Sequence, residues 1–364
     1  MIFFIGPLPP PLHGFSAINQ KMLLRLLDKT TVCVFNTAPT VVTSGKRFHS
    51  LVKIFHWVHC IILFSIRMLT KRPNSIYLGM SGGLGQMFDL LYIFIGRIFG
   101  SNIFIHHHSF AYLNEIRPYN RICMWLAGGA CHIVLCDLMA RKLTDAYGIP
   151  DKQIVTLSNA AFLEKENRSQ IRHKISHDEI TLGFISNITI EKGIVEFFDT
   201  VAKLIQQGLR VKGIIAGPVD SALQNQFSSM LAGRNDIDYI GSVYGEKKDA
   251  FFQSIDLLLF PTKYPNEAEP VTILEALRAG VPVIAAGRGC IYSMIDQQSG
   301  AVFPNIDQYV NDTTEYIKSI ITGAISLSTL SESALNQFSQ MHTYNVNELN
   351  NLIIKIVGYE KPKV

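Results

Sequence analysis

The sequence predicts an α/β chain folded as two doubly wound, Rossmann-like parallel-sheet domains. Three observations lead there. Short apolar runs of strand length alternate with segments of helical period along nearly the whole chain. Alternation of that kind produces parallel sheets covered by helices on both faces. The length, 364 residues, is enough for two such domains with a core each.

Taken in order, strands of the first half are expected at residues 2–5, 32–35, 75–78, 102–106, 132–135 and 153–156. Residues 16–27 read as a helix, with Ile18, Met22, Leu23 and Leu26 on one face. In the second half strands are expected at 181–184, 211–216, 238–240, 257–260 and 283–285. The helix after the first of these carries Ile194, Val195, Phe197, Phe198, Val201, Leu204 and Ile205. It stops at Gly208, a residue suited to the C′ position. Residues 163–178 are charged, polar and poor in apolar period, which puts the boundary there: one domain over 1–165, the next over 166–344. Beyond Gly323, Leu349, Leu352, Ile353 and Ile356 mark a last helix, at about 345–364.

Composition excludes several classes. With 48% hydrophobic and 17% charged residues and a net charge of +4, the chain is neither disordered nor fibrous. The mean hydropathy of +0.21 is high. The longest apolar stretches are 54–68, broken by His56, His59 and Arg67, and 90–98, broken by Gly96 and Arg97. Neither reaches the roughly 18–20 uninterrupted residues of a spanning helix. The first five residues lack a basic leader and run into Pro7, Pro9, Pro10 and Pro11, so they read as a buried strand. The six cysteines show no CxxC and fit scattered thiols of a reducing cytosol.

Charge is uneven. Residues 1–165 hold 16 Lys/Arg against 7 Asp/Glu, and the remainder 17 against 22. A basic half joined to a mildly acidic one fits two domains with different partners, or simple drift of charge between two ordinary domains.

In doubly wound sheets ligands bind outside the carboxyl ends of strands. The loop and helix over 264–280, YPNEAEPVTILEALRAG, follow such a strand. Pro270 suits a helix start, with Glu269 before it and Gly280 closing the helix. The free N–H groups around Val271 and Thr272 can hold an anion such as a diphosphate. Glu267 lies in the loop and Glu275 eight residues on; helical side chains lean toward the N-terminus, so both can reach one ligand. The spacing alone fits a capped core helix with surface glutamates equally well.

With its continuation to Ile291, this stretch resembles the E-x7-E signature of the retaining nucleotide-sugar glycosyltransferases of GT-B fold, family 4 (glycosyl transferases group 1). The resemblance covers most of 181–300 and, in less detail, 1–160. It implies two domains facing across a cleft, the second holding a nucleotide-diphosphate sugar and the first an acceptor, with the last helix returning to the first. It casts Glu267 on the transferred sugar and Glu275 on the ribose, with Glu269 a rival for the first role. Lys192, in the loop after 181–184, is cast on the diphosphate. The family's Arg a few residues earlier is replaced by Asn187; Arg288 is a candidate substitute.

Three further loops join the pattern. Residues 6–16, GPLPPPLHGFS, lack GxGxxG and read either as a proline-stiffened crossover or as the family's glycine loop, with Gly14 kept and His13 in place of the usual first glycine. In 105–110, IHHHSF, only His106 and His108 share a side, and no metal set is completed, so no metal is expected. His108 fits the family's sugar-contacting histidine, with His106 second. Gly217 fits a donor contact, and residues 239–243 the base site.

The segment 46–72 is apolar and aromatic with basic flanks. It reads as a helix packed on the first sheet or as one lying on an anionic membrane. The resulting expectation is an enzyme moving a sugar from a nucleotide-sugar donor to a glycan or polyprenyl-diphosphate-linked acceptor in cell-surface polysaccharide assembly. It needs no cofactor, binds no nucleic acid, and sits in the cytoplasm or at the cytoplasmic membrane face. An epimerase or hydrolase of the same fold, or a non-catalytic nucleotide-sugar-binding subunit, are the alternatives.

Overall fold

The computed structural model describes residues 1–38, 46–165 and 179–358. Most of the expected boundary at 163–178 lies outside them, as do the side chains of Lys46, Arg47 and Lys53 and residues 359–364 of the expected last helix. The chain divides into two compact units. One comprises Met1–Phe162 with Tyr344–Val364, the other Leu163–Thr343.

The first unit contains strands β1 (Ile2–Gly6), β2 (Val32–Asn36), β3 (Ser75–Met80), β4 (Asn102–His107), β5 (Cys131–Val134) and β6 (Ile154–Thr156). Its helices are α1 (Gly14–Leu27), α2 (Lys46–Lys71), α3 (Gln86–Ile98), α4 (Ala111–Asn114), α5 (Pro118–Leu126) and α6 (Asp137–Tyr147). All strand pairs are parallel, in the order β2-β1-β3-β4-β5-β6. The order reverses between β1 and β3, so loops after these strands diverge and leave a crevice at their carboxyl ends.

The second unit repeats the plan. Its strands are β7 (Ile180–Ile185), β8 (Val211–Ala216), β9 (Ile237–Tyr239), β10 (Leu257–Phe260), β11 (Val283–Ala286) and β12 (Gly300–Phe303). Its helices are α7 (Ile194–Gln206), α8 (Gln224–Leu231), α9 (Glu246–Ser254), α10 (Val271–Arg278), α11 (Ile291–Met294), α12 (Tyr309–Ile321) and α13 (Leu327–Gly358), the last of which passes into the first unit at Tyr344. The parallel order is β12-β11-β10-β7-β8-β9, with its reversal between β7 and β10. The two doubly wound sheets agree with the fold class read from the sequence. Strand β12 escaped that reading: it is only four residues long and three of them are half-buried, so its apolar run is short.

Local chemistry explains how the first crevice is shaped. The proline-rich loop ends where His13 caps α1: its Nδ1 accepts from Ser16 N–H (3.2 Å), and Ser16 Oγ accepts from His13 N–H (3.0 Å). Asn19, fully buried on α1, donates to the Pro7 carbonyl at 3.1 Å and lies over Gly6 and Gly79. A Cβ at either glycine would fall 2.7–2.8 Å from the Asn19 amide, so β1 carries glycine at its end and β3 one residue before its end to let that side chain in.

Helix α2 covers the sheet with one face. Phe64 is 0% exposed and meets Phe3, Phe35 and Tyr92 at ring distances of 5.9, 5.3 and 5.0 Å. Trp57 Nε1 donates to the Thr37 carbonyl at 2.9 Å. Its opposite face carries Phe55, 74% exposed.

Strand β4 buries His106 and His107 on opposite faces of the sheet. His107 hydrogen-bonds Tyr112 (2.7 Å) and His132 (3.0 Å). Desolvation of the charged ring holds His106 and His107 well below the usual histidine range, and lowers His108 to about 3 and His132 to about 4. Asp89, buried in the first turn of α3, accepts from Ser81 N–H at 2.8 Å. Burial pushes it up to about 7.

Two outcomes follow. Phe64→Ala should cost the first unit about 3–5 kcal/mol, whereas Phe55→Ala should cost about 0.5 kcal/mol or less; urea unfolding followed by a first-unit probe separates them. The pH profile follows from linkage. A histidine lowered in the fold contributes stability that is complete above the unfolded value of about 6.5 and is lost as pH falls toward 4, while raised Asp89 loses stability as pH rises from about 4 toward 7. Four histidines outweigh one carboxyl. The first unit should therefore melt lower on acidification from about pH 7 to about pH 4.5, and Asp89→Asn should steepen the fall. A flat profile by scanning fluorimetry would contradict the buried neutral rings.

Candidate functional site

The second-unit crevice is built where the loops after β7 and β10 meet. After β7 the chain makes one tight turn, Ile190–Lys192, capped by Thr189, whose Oγ1 accepts from Lys192 N–H at 3.2 Å. Gly193 then takes φ +86°, and a Cβ there would fall 2.0 Å from the Pro261 carbonyl oxygen. Only glycine permits that approach. It brings Lys192 across to the loop after β10, where its Nζ lies 2.5 Å from Glu267 Oε2 and 5.0 Å from the centre of the Tyr264 ring. Thr262 Oγ1 also donates to Glu267 Oε2, at 3.3 Å. The two loops are laced further by Lys263, whose N–H donates to the Glu191 carbonyl (2.7 Å) and whose Nζ pairs with Glu196 (2.8 Å).

Glu267 is held from behind as well. Gly289, φ +48°, packs so close that a Cβ would fall 2.1 Å from the Glu267 carbonyl oxygen, and Cys290 N–H donates to the Ala268 carbonyl at 2.9 Å. Two residues on, buried Glu269 precedes Pro270, which is the N-cap of α10. Val271 and Thr272, both half-buried, open the helix, and their N–H groups precede its first i→i−4 bond. Glu275 lies one turn in, with Lys248 of α9 at 2.5 Å. The spacing thus puts two carboxylates on either side of a helix start, each countered by a lysine.

Loops after β7, β8 and β9 are tied into one edge. Gly217, φ +125°, has no room for a Cβ, which would sit 1.8 Å from the Ser186 carbonyl oxygen, and its N–H donates to Gly241 (2.8 Å). Asn187 is exposed on this edge. Arg288, in the loop after β11, is half-buried, with Nη1 3.5 Å from the Gly287 carbonyl.

In the first unit, Phe15 of α1 and His108 after β4 stack with ring centres 4.5 Å apart, and His108 lies 4.0 Å from His106. His106 has no exposed surface; its Nδ1 hydrogen-bonds Tyr77 at 2.6 Å, so it supports His108 from below and does not face solvent. His13 and Gly14 are exposed at the start of α1, with the His13 ring 6.4 Å from Phe15. Among the described residues no group of three or more His, Cys, Asp or Glu could hold a metal ion.

Sequence reasoning missed the partners. Lys248, Thr262, Tyr264, Tyr77 and Phe15 carry no motif, and what links them to the site is three-dimensional packing. Tyr264 alone left a trace, as the first residue of the YPNE run.

Comparisons with known proteins bear on this geometry. Residues 165–337 match the family model of glycosyl transferases group 1. An alpha-monoglucosyldiacylglycerol synthase of Streptococcus pneumoniae is 27% identical over 146 residues, 39% of this chain and 32% of that protein. An uncharacterized glycosyltransferase of Methanocaldococcus jannaschii, MJ1607, is 25% identical over 130 residues, 35% of this chain and 33% of that protein. The chain thus spans about a third of the length of these curated relatives. Anabaena Alr3699/HepE, solved in complex with UDP, superposes with a TM-score of 0.72 over 99% of this chain and 100% of that one, at 17% identity. Residues 165–337 are thus similar to the glycosyl transferases group 1, and the two Rossmann-like units share the fold of HepE.

Proposed function

We propose that this protein is a retaining glycosyltransferase that moves a sugar from a nucleotide-diphosphate donor to a lipid-linked glycan acceptor, as in cell-surface polysaccharide assembly. The observation that carries the reading is the Lys192–Glu267 pair at the β7/β10 reversal, beside the open N-terminus of α10. The second unit takes the donor. Its diphosphate lies against the Lys192 ammonium and the N–H groups of Val271 and Thr272, which stabilise the charge that grows as the bond from the anomeric carbon to the leaving diphosphate breaks. Glu267 accepts hydrogen bonds from the transferred sugar and Glu275 from the ribose. Glu269, buried just before Pro270, is the rival to Glu267 for the sugar contact, and Gly217 and Asn187 border the phosphates.

The first unit takes the acceptor, with His13 at the rim and His106 behind it; Gly14 and His108 are that unit's groups for the donor, His108 offering the transferred sugar a neutral imidazole. That ring stays uncharged through the physiological range because burial holds it at about 3. It therefore works as a hydrogen-bonding and packing surface rather than as a proton donor near neutral pH. A glycolipid synthase among the relatives supports a lipid-borne acceptor. UDP in the HepE complex makes UDP the first nucleotide to try.

Thermal shift against UDP, GDP, ADP and CMP, with and without EDTA, tests the donor half, since a ligand binding only the native state raises the melting temperature. A base-selective shift that survives EDTA is expected. Lys192→Ala should abolish that shift and lower turnover by about 10²–10³-fold, and Glu275→Ala should weaken nucleotide binding by about 10–100-fold, each with an unchanged circular dichroism spectrum. Donor consumption without any acceptor would instead favour the hydrolase or epimerase. Binding with no turnover under any acceptor would favour a non-catalytic subunit.

A further inference from the structure

We infer that the outer surface of the helical layer α2–α3–α5 docks flat on an anionic bilayer. The inference deepens the lipid-linked-acceptor reading and rests on it for its purpose, but the surface is argued from its own residues. Helix α2 is apolar on both faces. Cys60, Phe64 and Met68 point into the sheet, while Phe55, Val58, Ile62, Ile66 and Leu69, spaced three and four apart, are exposed. A solvent-facing helix carries polar residues on that side. Helix α3 repeats the anomaly with exposed Met87, Leu91, Phe94 and Ile98, and α5 with Ile122 and Trp125, the latter 77% exposed.

These stripes share one layer. Trp57 meets Phe88 at 4.6 Å and Phe64 meets Tyr92 at 5.0 Å between α2 and α3, while Arg97 Nη1 donates to the Leu126 carbonyl at 2.6 Å between α3 and α5. An exposed apolar surface of that extent marks an interaction site.

Charge chooses the occupant. Across the three helices the sequence has a single acid, Asp89, and it is buried. Arg67, Lys71, Arg97 and Arg121 are all exposed. Glu115, just before α5, is held by Arg117 at 3.0 Å. A protein partner would ordinarily face a rim of both signs; aromatic and aliphatic stripes with one-sided basic charge suit anionic headgroups over acyl chains.

The same helix could be mistaken for a span. The window Ile54–Lys71 is long and apolar enough to cross a bilayer, contrary to the expectation from its interruptions, because His56, His59 and Arg67 do not outweigh its apolar residues. But Phe64 and Met68 are 0% exposed within the unit. Pulling α2 across a membrane would strip the cover from Phe3 and Phe35, so the helix lies in the membrane plane with only its outer face immersed.

Flotation of the full chain with phosphatidylcholine vesicles, with and without phosphatidylglycerol, tests this. Binding to the anionic vesicles is expected, weakened by salt and by Arg67→Gln with Lys71→Gln. The triple variant Phe55→Ser, Phe94→Ser, Trp125→Ser should lose affinity for them by at least about tenfold, with its melting temperature and its thermal shift with UDP or GDP retained. Absence of flotation, equal flotation of the triple variant, or a lipid-free dimer that the triple variant dissociates would each overturn the inference. The nucleotide shift reports separately: its loss with flotation intact would count against the donor site alone.

Discussion

The approach of Gly193 to the Pro261 carbonyl is the constraint on which the second-unit site depends. A parallel sheet leaves the loops after β7 and β10 free to diverge, and nothing in the strands themselves brings them back together. A left-handed residue with no side chain closes the gap, and the residue just before it is Lys192. From there the ammonium reaches Glu267 and the Tyr264 face without a long excursion of its flexible stem. Gly289 does the same from the opposite side, pressing on the Glu267 backbone. The charged pair is thereby set by backbone geometry, and its orientation does not rest on the salt bridge itself. That matters because a half-buried ion pair recovers little more than its desolvation cost.

Most of the architecture was legible in the residues. Apolar runs in β1, β3, β7 and β10 are buried on both faces and read directly as strands. The start of α10 was visible because Pro270 and Gly280 punctuate it. Strand β12 was not, since an edge strand of four residues, three of them half-buried, has neither length nor period to mark it. At the site, the glutamates and Lys192 stood out by spacing and position. Their countercharges did not: Lys248 reaches Glu275 from α9, across 27 residues of chain, and no local pattern encodes such a pair. His106 shows the converse. It shares a side with His108, as strand alternation requires, yet only packing reveals that it is entombed against Tyr77.

The charge balance at this edge bears on the missing arginine. Lys192 faces Glu267, Lys248 faces Glu275 and Lys263 faces Glu196, so each of these three lysines already has a carboxylate. Where the family has a further cation, Asn187 brings none. On the proposed reading, an arriving diphosphate can gain Lys192 only by drawing it from Glu267. That exchange leaves a half-buried carboxylate short of a partner, a costly state unless hydrogen-bond donors replace the ammonium. Thr262 supplies one donor at 3.3 Å. The hydroxyls of the transferred sugar are the natural source of the rest. Nucleotide and sugar then bind as coupled events: the phosphate takes the cation and the sugar takes the acid the cation leaves behind. On that reading a bare nucleoside diphosphate still meets Lys192 and the helix N–H groups, and the sugar of the loaded donor adds to the grip by partnering the Glu267 carboxylate that the cation leaves.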